Sequence, residues 1–143
     1  MNKLTLTEKV LSLQLPVGSY CVLAGGAMLF YGLREQTQDI DLHINEQAFA
    51  FLLQTQNVRT LDEERRHYAI GDDVEMYVVP SESIVYEVRD GVCVQTAEEI
   101  LALKKRLGRE KDAAAYITAK GIQSGYIQGG TTVLPEKTVN KVF

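Results

Sequence analysis

The pattern of apolar and polar positions divides the chain into short segments of changing period. Between Thr5 and Gln14, the residues Leu6, Val10, Leu11 and Leu13 recur at near-helical spacing, which predicts a first helix that Thr5 or Thr7 can cap and that Pro16 ends. Ser19 to Ala24 is a short apolar run that reads as a buried strand. It leads directly into Gly25-Gly26 and then AMLFYGL, a short helix, so the order is strand, glycine turn, helix. Asp39 to Ile44 alternates strictly: Ile40, Leu42 and Ile44 share one face, and Asp39, Asp41 and His43 share the other. This predicts a strand with one polar face, followed by a helix, EQAFAFLLQTQ, that Asn45 caps.

Farther along, Arg66 to Ile70 and Asp73 to Val79 read as two strands joined by a turn at Gly71-Asp72, and Tyr86 to Val88 and Val92 to Val94 as a small hairpin around Asp90-Gly91. Thr96 opens the helix AEEILALKKRL with Glu99 in capping-box position; Gly108 breaks it, and REKDAAAYITAK makes another. From Gly121 the chain is rich in Gly, Thr and Ser without a clear period, which predicts loop, or at most a strand around Thr131 to Leu134. No repeat or linker divides residues 1–143, so a single domain of the α+β class is expected, with a small mixed sheet flanked by helices.

Composition bounds the picture without naming a function. With 143 residues and 45% apolar side chains, the chain can bury roughly 68–70% of its unfolded surface and needs no metal or disulfide to fold. A net charge of −4 argues against a basic coat for extended, non-specific nucleic-acid binding. Cys21 and Cys93 lie in apolar contexts without ligand spacing and are expected to be buried free thiols. The N-terminal stretch lacks the apolar run of a secretory leader, and the run from Cys21 to Leu33 is too short to cross a bilayer, so a cytoplasmic, membrane-free protein is expected.

The chemistry starts at Asp39 and Asp41. Residues i and i+2 of a strand project to one side, so two carboxylates stand together and repel. A solvated strand face is one reading. The other is a hard divalent cation such as Mg²⁺, which such oxygen donors hold. Thirteen residues before Asp39, Gly25-Gly26 opens a helix at a strand end, where backbone N–H groups can approach phosphate oxygens.

The stretch AGGAMLFYGLREQTQDIDLHI resembles the signature of the nucleotidyltransferase superfamily related to DNA polymerase β. The subtype with Arg34, Thr37, Asp39 and Asp41 is most similar to small proteins of the AbiEii-like branch, which includes toxins of toxin–antitoxin and phage-defence systems. The resemblance spans Leu23 to about Asp112. It implies transfer of a nucleoside monophosphate from an NTP to an unidentified hydroxyl or phosphate acceptor on RNA, protein or a small molecule. Asp39, Asp41 and a third carboxylate would hold two Mg²⁺ ions, or Mn²⁺.

Val74-Glu75-Met76 supplies that third acid in the expected apolar context, with Asp73 as the nearest competitor on its strand and Asp72 assigned to the turn. Gly25 and Gly26 would hold phosphates, and Arg34 and Thr37 would belong to the nucleotide site. LALKKRLGREKD resembles the family's basic motif, which would set Lys104 against the triphosphate and leave Arg109, Lys111 and Asp112 to bind or brace it. The chain departs from that motif at Ala115, where a second Asp often follows.

Lys104 to Lys120 carries six positive and two negative residues, so the rest of the chain stands at −8. A solvated helix laced with pairs such as Arg106–Glu110 accounts for the same residues. His43 shares the aspartate face as a ligand contact or a rim residue, His67 has no evident partner, and Tyr68, Tyr77 and Tyr86 lie on expected strands, where aromatic residues usually pack. A second reading is a non-catalytic nucleotide- or partner-binding module of the same fold; a third is a structural interaction domain. Small members of the superfamily often act with a partner protein or as homodimers.

Overall fold

The computed structural model describes residues 1–106, 123–129 and 131–134, with side-chain detail to residue 102. Helix α1 (Lys3–Ser12) begins two residues before the sequence pattern predicts, because Asn2 rather than Thr5 or Thr7 caps it: its carboxamide oxygen accepts from Thr5 N–H at 2.9 Å. Leu6, Val10 and Leu13 are buried, while Leu11 faces outward. The helix stops at Ser12, and Gln14 turns the chain with a φ of +59° ahead of Pro16.

Strand β1 (Tyr20–Val22) runs into α2 (Ala24–Phe30), and β2 (Ile40–Ile44) runs into α3 (Glu46–Thr55), whose first turn is capped by Asn45 through Ala48 N–H at 2.9 Å. Three strands follow: β3 (Val58–Asp62), β4 (His67–Ile70) and β5 (Val74–Val78). After a 3₁₀ turn come β6 (Tyr86–Arg89), β7 (Val92–Gln95) and α4 (Ala97–Arg106), where Thr96 Oγ1 accepts from Glu99 N–H at 3.2 Å. β8 (Gln123–Gly129) and β9 (Thr131–Leu134) form a separate antiparallel pair.

The main sheet has seven strands in the order β3-β4-β5-β2-β1-β7-β6, with β2 parallel to β5, β1 parallel to β7 and the remaining neighbours antiparallel. This is a mixed α+β fold of the expected class. Alternation along β2 buries Ile40, Leu42 and Ile44 completely and leaves Asp41 and His43 half-buried on the opposite face. The buried face continues through Tyr20, Val22, Val74, Met76 and Val78 and packs with Leu6, Ala27 and Leu52 from the helices. Cys21 and Cys93 are buried and free, and burial together with Cys93 pushes the Cys21 thiol up to about 12, so it stays protonated.

Strand β3 is absent from the sequence expectations because it is an edge strand with both faces largely exposed, so it carries no apolar alternation. The β4–β5 turn is one residue longer than expected. Ile70 pairs with Val74, so the loop comprises Gly71, Asp72 and Asp73, with Gly71 in the left-handed region at φ +63°. No helix among the described residues is long and apolar enough to cross a membrane.

Candidate active site

The polar face of the sheet carries two rows of side chains. In the first, Asp41 on β2 is the register partner of Glu75 on β5, which in turn faces Ala69 on β4. In the second, His43, Tyr77 and His67 occupy the corresponding positions two residues along. A parallel ladder with this register is what sets Glu75, rather than Asp73, beside Asp41. Asp73 has left the strand: its carbonyl accepts from Ile40 N–H at 2.7 Å and its carboxylate pairs with Lys9 at 3.0 Å. Asp72 is an exposed turn residue.

Asp39 precedes the first residue of β2 and is exposed. It lies with Asp41 on a cleft of about 530 Å³ that is also lined by Gly25, Arg34, Gln36 and Thr37. Burial holds the Asp41 carboxyl above its usual range, and the charges of Glu75 and Asp39 push it the same way. This has a consequence for stability in the absence of metal. At low pH Asp41 is protonated in both folded and unfolded chains; as pH rises through the ordinary carboxylate value, the unfolded chain releases its proton first, and folding is disfavoured from there upward. Asp41→Asn is therefore expected to melt higher than the native chain near neutral pH in chelator, by about 2–4 °C, with the gap closing below about pH 4. Melting curves across that range test it; a constant gap contradicts the crowding.

The two glycines behave differently. Neither adopts a positive φ; the left-handed residue of the strand-to-helix junction is Ala24, at φ +50°. A Cβ at Gly25 would stand 2.6 Å from an Arg34 guanidinium nitrogen and 3.1 Å from Thr37 Oγ1, so this glycine opens the cleft floor to those two side chains. A Cβ at Gly26 would meet Val22 and Leu6 at 2.8 and 3.0 Å. Gly26 thus faces the core rather than the cleft, and its lack of a side chain serves helix-to-strand packing.

Ala24 is held in its conformation, one that costs roughly 1–2 kcal/mol for an L-residue, by Gln95. The Gln95 side-chain oxygen accepts from Ala24 N–H at 2.8 Å, while its backbone carbonyl accepts from Tyr31 OH at 2.9 Å. Gln95 is 9% exposed, and this polar group at the end of β7 has no signal in the apolar pattern around it. Gln95→Ala leaves that N–H unsatisfied, a cost of about 1–3 kcal/mol; a chain that melts as the native one does would show that water replaces the amide.

Thr37 is buried; its hydroxyl donates to the Asp39 carbonyl at 3.2 Å and its backbone pairs with Met1. Arg34 is exposed at the cleft. Of the three tyrosines, Tyr68 is buried against Phe49 and Tyr86 is partly exposed on the edge strand; only Tyr77 stands by the carboxylates. His43 meets Tyr77 edge-on at 6.5 Å, and burial lowers its imidazole pKa. His67 Nε2 lies within hydrogen-bond distance of Glu75 Oε1, at 2.8 Å, and the ring lies parallel to that of Tyr77 at 4.1 Å. The backbone of Lys104 is in α4; its side chain, and Arg109, Lys111 and Asp112, lie outside the described residues, as does the helix expected after Gly108.

The donors here are hard carboxylate oxygens, which fit Mg²⁺ or Mn²⁺ rather than a softer metal. Among the described residues, no three acidic, His or Cys side chains converge as a ready-made ligand set. Mg²⁺ at phosphate-transfer sites usually takes one or two carboxylates and completes its shell from water and substrate phosphates, so a carboxylate pair beside an open cleft is compatible with it. Comparison with protein families, curated proteins and solved structures finds no match for this chain.

Proposed function

We propose that the chain is a metal-dependent nucleotidyltransferase that moves a nucleoside monophosphate from an NTP to a hydroxyl or phosphate acceptor. The observation that carries this reading is the register pairing of Asp41 with Glu75 on one face of the sheet, together with the cleft that Asp39 and Asp41 line with Gly25, Arg34 and Thr37. It agrees with the order of the glycine and D-x-D motifs in the sequence.

In this reading an acceptor oxygen attacks the α-phosphorus, the bond from that phosphorus to the bridging oxygen breaks, and pyrophosphate leaves with the electron pair. The proton of an attacking hydroxyl passes to Glu75 or to water. Asp39, Asp41 and Glu75 would hold Mg²⁺, which when bound lowers the pKa of an acceptor hydroxyl and neutralises charge on the triphosphate. Arg34 offers a guanidinium to phosphate oxygens at the cleft. Gly25 leaves room for the phosphates beside Arg34 and Thr37, and Gln95 keeps the backbone at Ala24 in the shape that aims this turn.

One observation favours the alternative of a nucleotide-binding module without turnover, namely that the three carboxylates are not gathered into a ligand set among the described residues. Pyrophosphate release from each of the four NTPs, with Mg²⁺ or Mn²⁺ and then with chelator, separates the two. The transferase reading expects release that the chelator abolishes. Calorimetric binding of Mg·ATP with no release against any acceptor would establish the module instead.

A further inference from the structure

The acid proposed to complete the metal site, Glu75, has a fixed polar neighbour on β4. Directly across from Glu75 on β4 is Ala69, which is 2% exposed and offers no polar atom. A polar partner from β4 must therefore come from a diagonal position, and diagonal neighbours across an antiparallel pair are within reach of long or aromatic side chains. His67 occupies that position. Its Nε2 lies 2.8 Å from Glu75 Oε1, with the imidazole side chain only 18% exposed. An ionised carboxylate only accepts, so Nε2 carries the hydrogen.

The ring itself is held. Tyr77, the register partner of His67, lies parallel to it with 4.1 Å between centroids and 7° between planes, and His43 meets the same tyrosine edge-on at 6.5 Å. The imidazole plane is thereby set by packing, and the direction of Nε2–H is set with it. Packing alone would not require a nitrogen at this position; a phenyl ring would stack as well.

We propose that His67 is a positioning residue for Glu75, holding one carboxylate oxygen so that the other is available to act with Asp41 on Mg²⁺. The inference rests on the metal-site reading above. Partners that orient a ligating group typically contribute 10–100-fold to metal affinity.

The test is a Mg²⁺ titration of the full chain, following the Glu75 carboxylate carbon and the His67 ring nitrogens by NMR. His67→Phe keeps the stacked ring and removes the donor; His67→Gln keeps a donor and removes the ring. The expected result is an affinity about 10–100-fold weaker in His67→Phe and largely recovered in His67→Gln. Native affinity in His67→Phe, with Glu75 still responding, overturns the positioning role and leaves the metal site standing. If Glu75 in the native chain does not respond to Mg²⁺ at all, the metal-site reading falls and this inference falls with it. Should His67→Phe fail to fold, the native chain still decides: the Nε2 signal must move with the Glu75 signal as Mg²⁺ binds, and an Nε2 that stays still while Glu75 responds counts against the proposal.

Discussion

Asp41→Asn is expected to lower the rate of nucleotidyl transfer by about 10³-fold at saturating NTP and Mg²⁺, on the scale seen when a single group that stabilises transition-state charge is removed. The amide has the shape of the carboxylate and none of its charge. It sits where desolvation, Glu75 and Asp39 all oppose ionisation, so its charge is unfavourable in the metal-free chain. The variant should fold, and in chelator should melt above the native chain, which separates lost chemistry from lost structure. Initial rates of pyrophosphate release provide the measurement. A variant within tenfold of the native rate would show that Asp41 is an ordinary half-buried acid.

The second large effect is a contrast between neighbours. Gly26→Ala places a methyl group 2.8 Å from Val22 Cγ1 and 3.0 Å from Leu6 Cδ1, and both of those residues are fully buried. Overpacking of this kind costs about 1–3 kcal/mol, which for a chain of this size lowers the melting midpoint by about 4–12 °C. Gly25→Ala meets the end of the flexible Arg34 side chain and the Thr37 hydroxyl instead. That side chain can swing away, so stability should change little, while Mg·ATP affinity falls by roughly tenfold as Arg34 is displaced and the floor of the cleft rises, a difference of about 1.4 kcal/mol. Thermal melting and calorimetry on the two variants distinguish the roles. Equal loss of stability in both would mean that Gly25 also serves packing, and unchanged affinity in Gly25→Ala would remove it from the phosphate site.

What the sequence made legible was what is decided locally. The strict alternation from Asp39 to Ile44 is a property of six consecutive residues, and the caps at Asn45 and Thr96 each depend on a neighbour three positions away. Glu75 and Asp73 have the same parity along the strand, so alternation did not separate them; Glu75 was chosen because the resemblance implies an acid between two apolar residues, and the register that sets it beside Asp41 is a property of the folded sheet.

What could not be read depends on distant pairing. A two-residue turn at Gly71-Asp72 would set His67 opposite Met76, whereas the observed three-residue loop sets it opposite Tyr77 and diagonal to Glu75. One residue of register decides whether His67 has a partner. Gln95 and Ala24 are 71 positions apart, and nothing in either local sequence signals that one holds the other. The glycine pair was legible as a requirement for close approach, but its division into one residue for the cleft and one for the core needed the positions of Leu6, Arg34 and Thr37.

Nucleotidyl transfer moves the α-phosphate, and no other, to the acceptor. Parallel reactions with NTP labelled at the α- or the γ-phosphate, in Mg²⁺ and with a cell extract as the source of acceptor, test it most directly. The expected result is α-label on the acceptor, γ-label released only as pyrophosphate, and neither outcome with Asp41→Asn. Transfer of γ-label, or equal α-labelling by the native chain and Asp41→Asn, would contradict it.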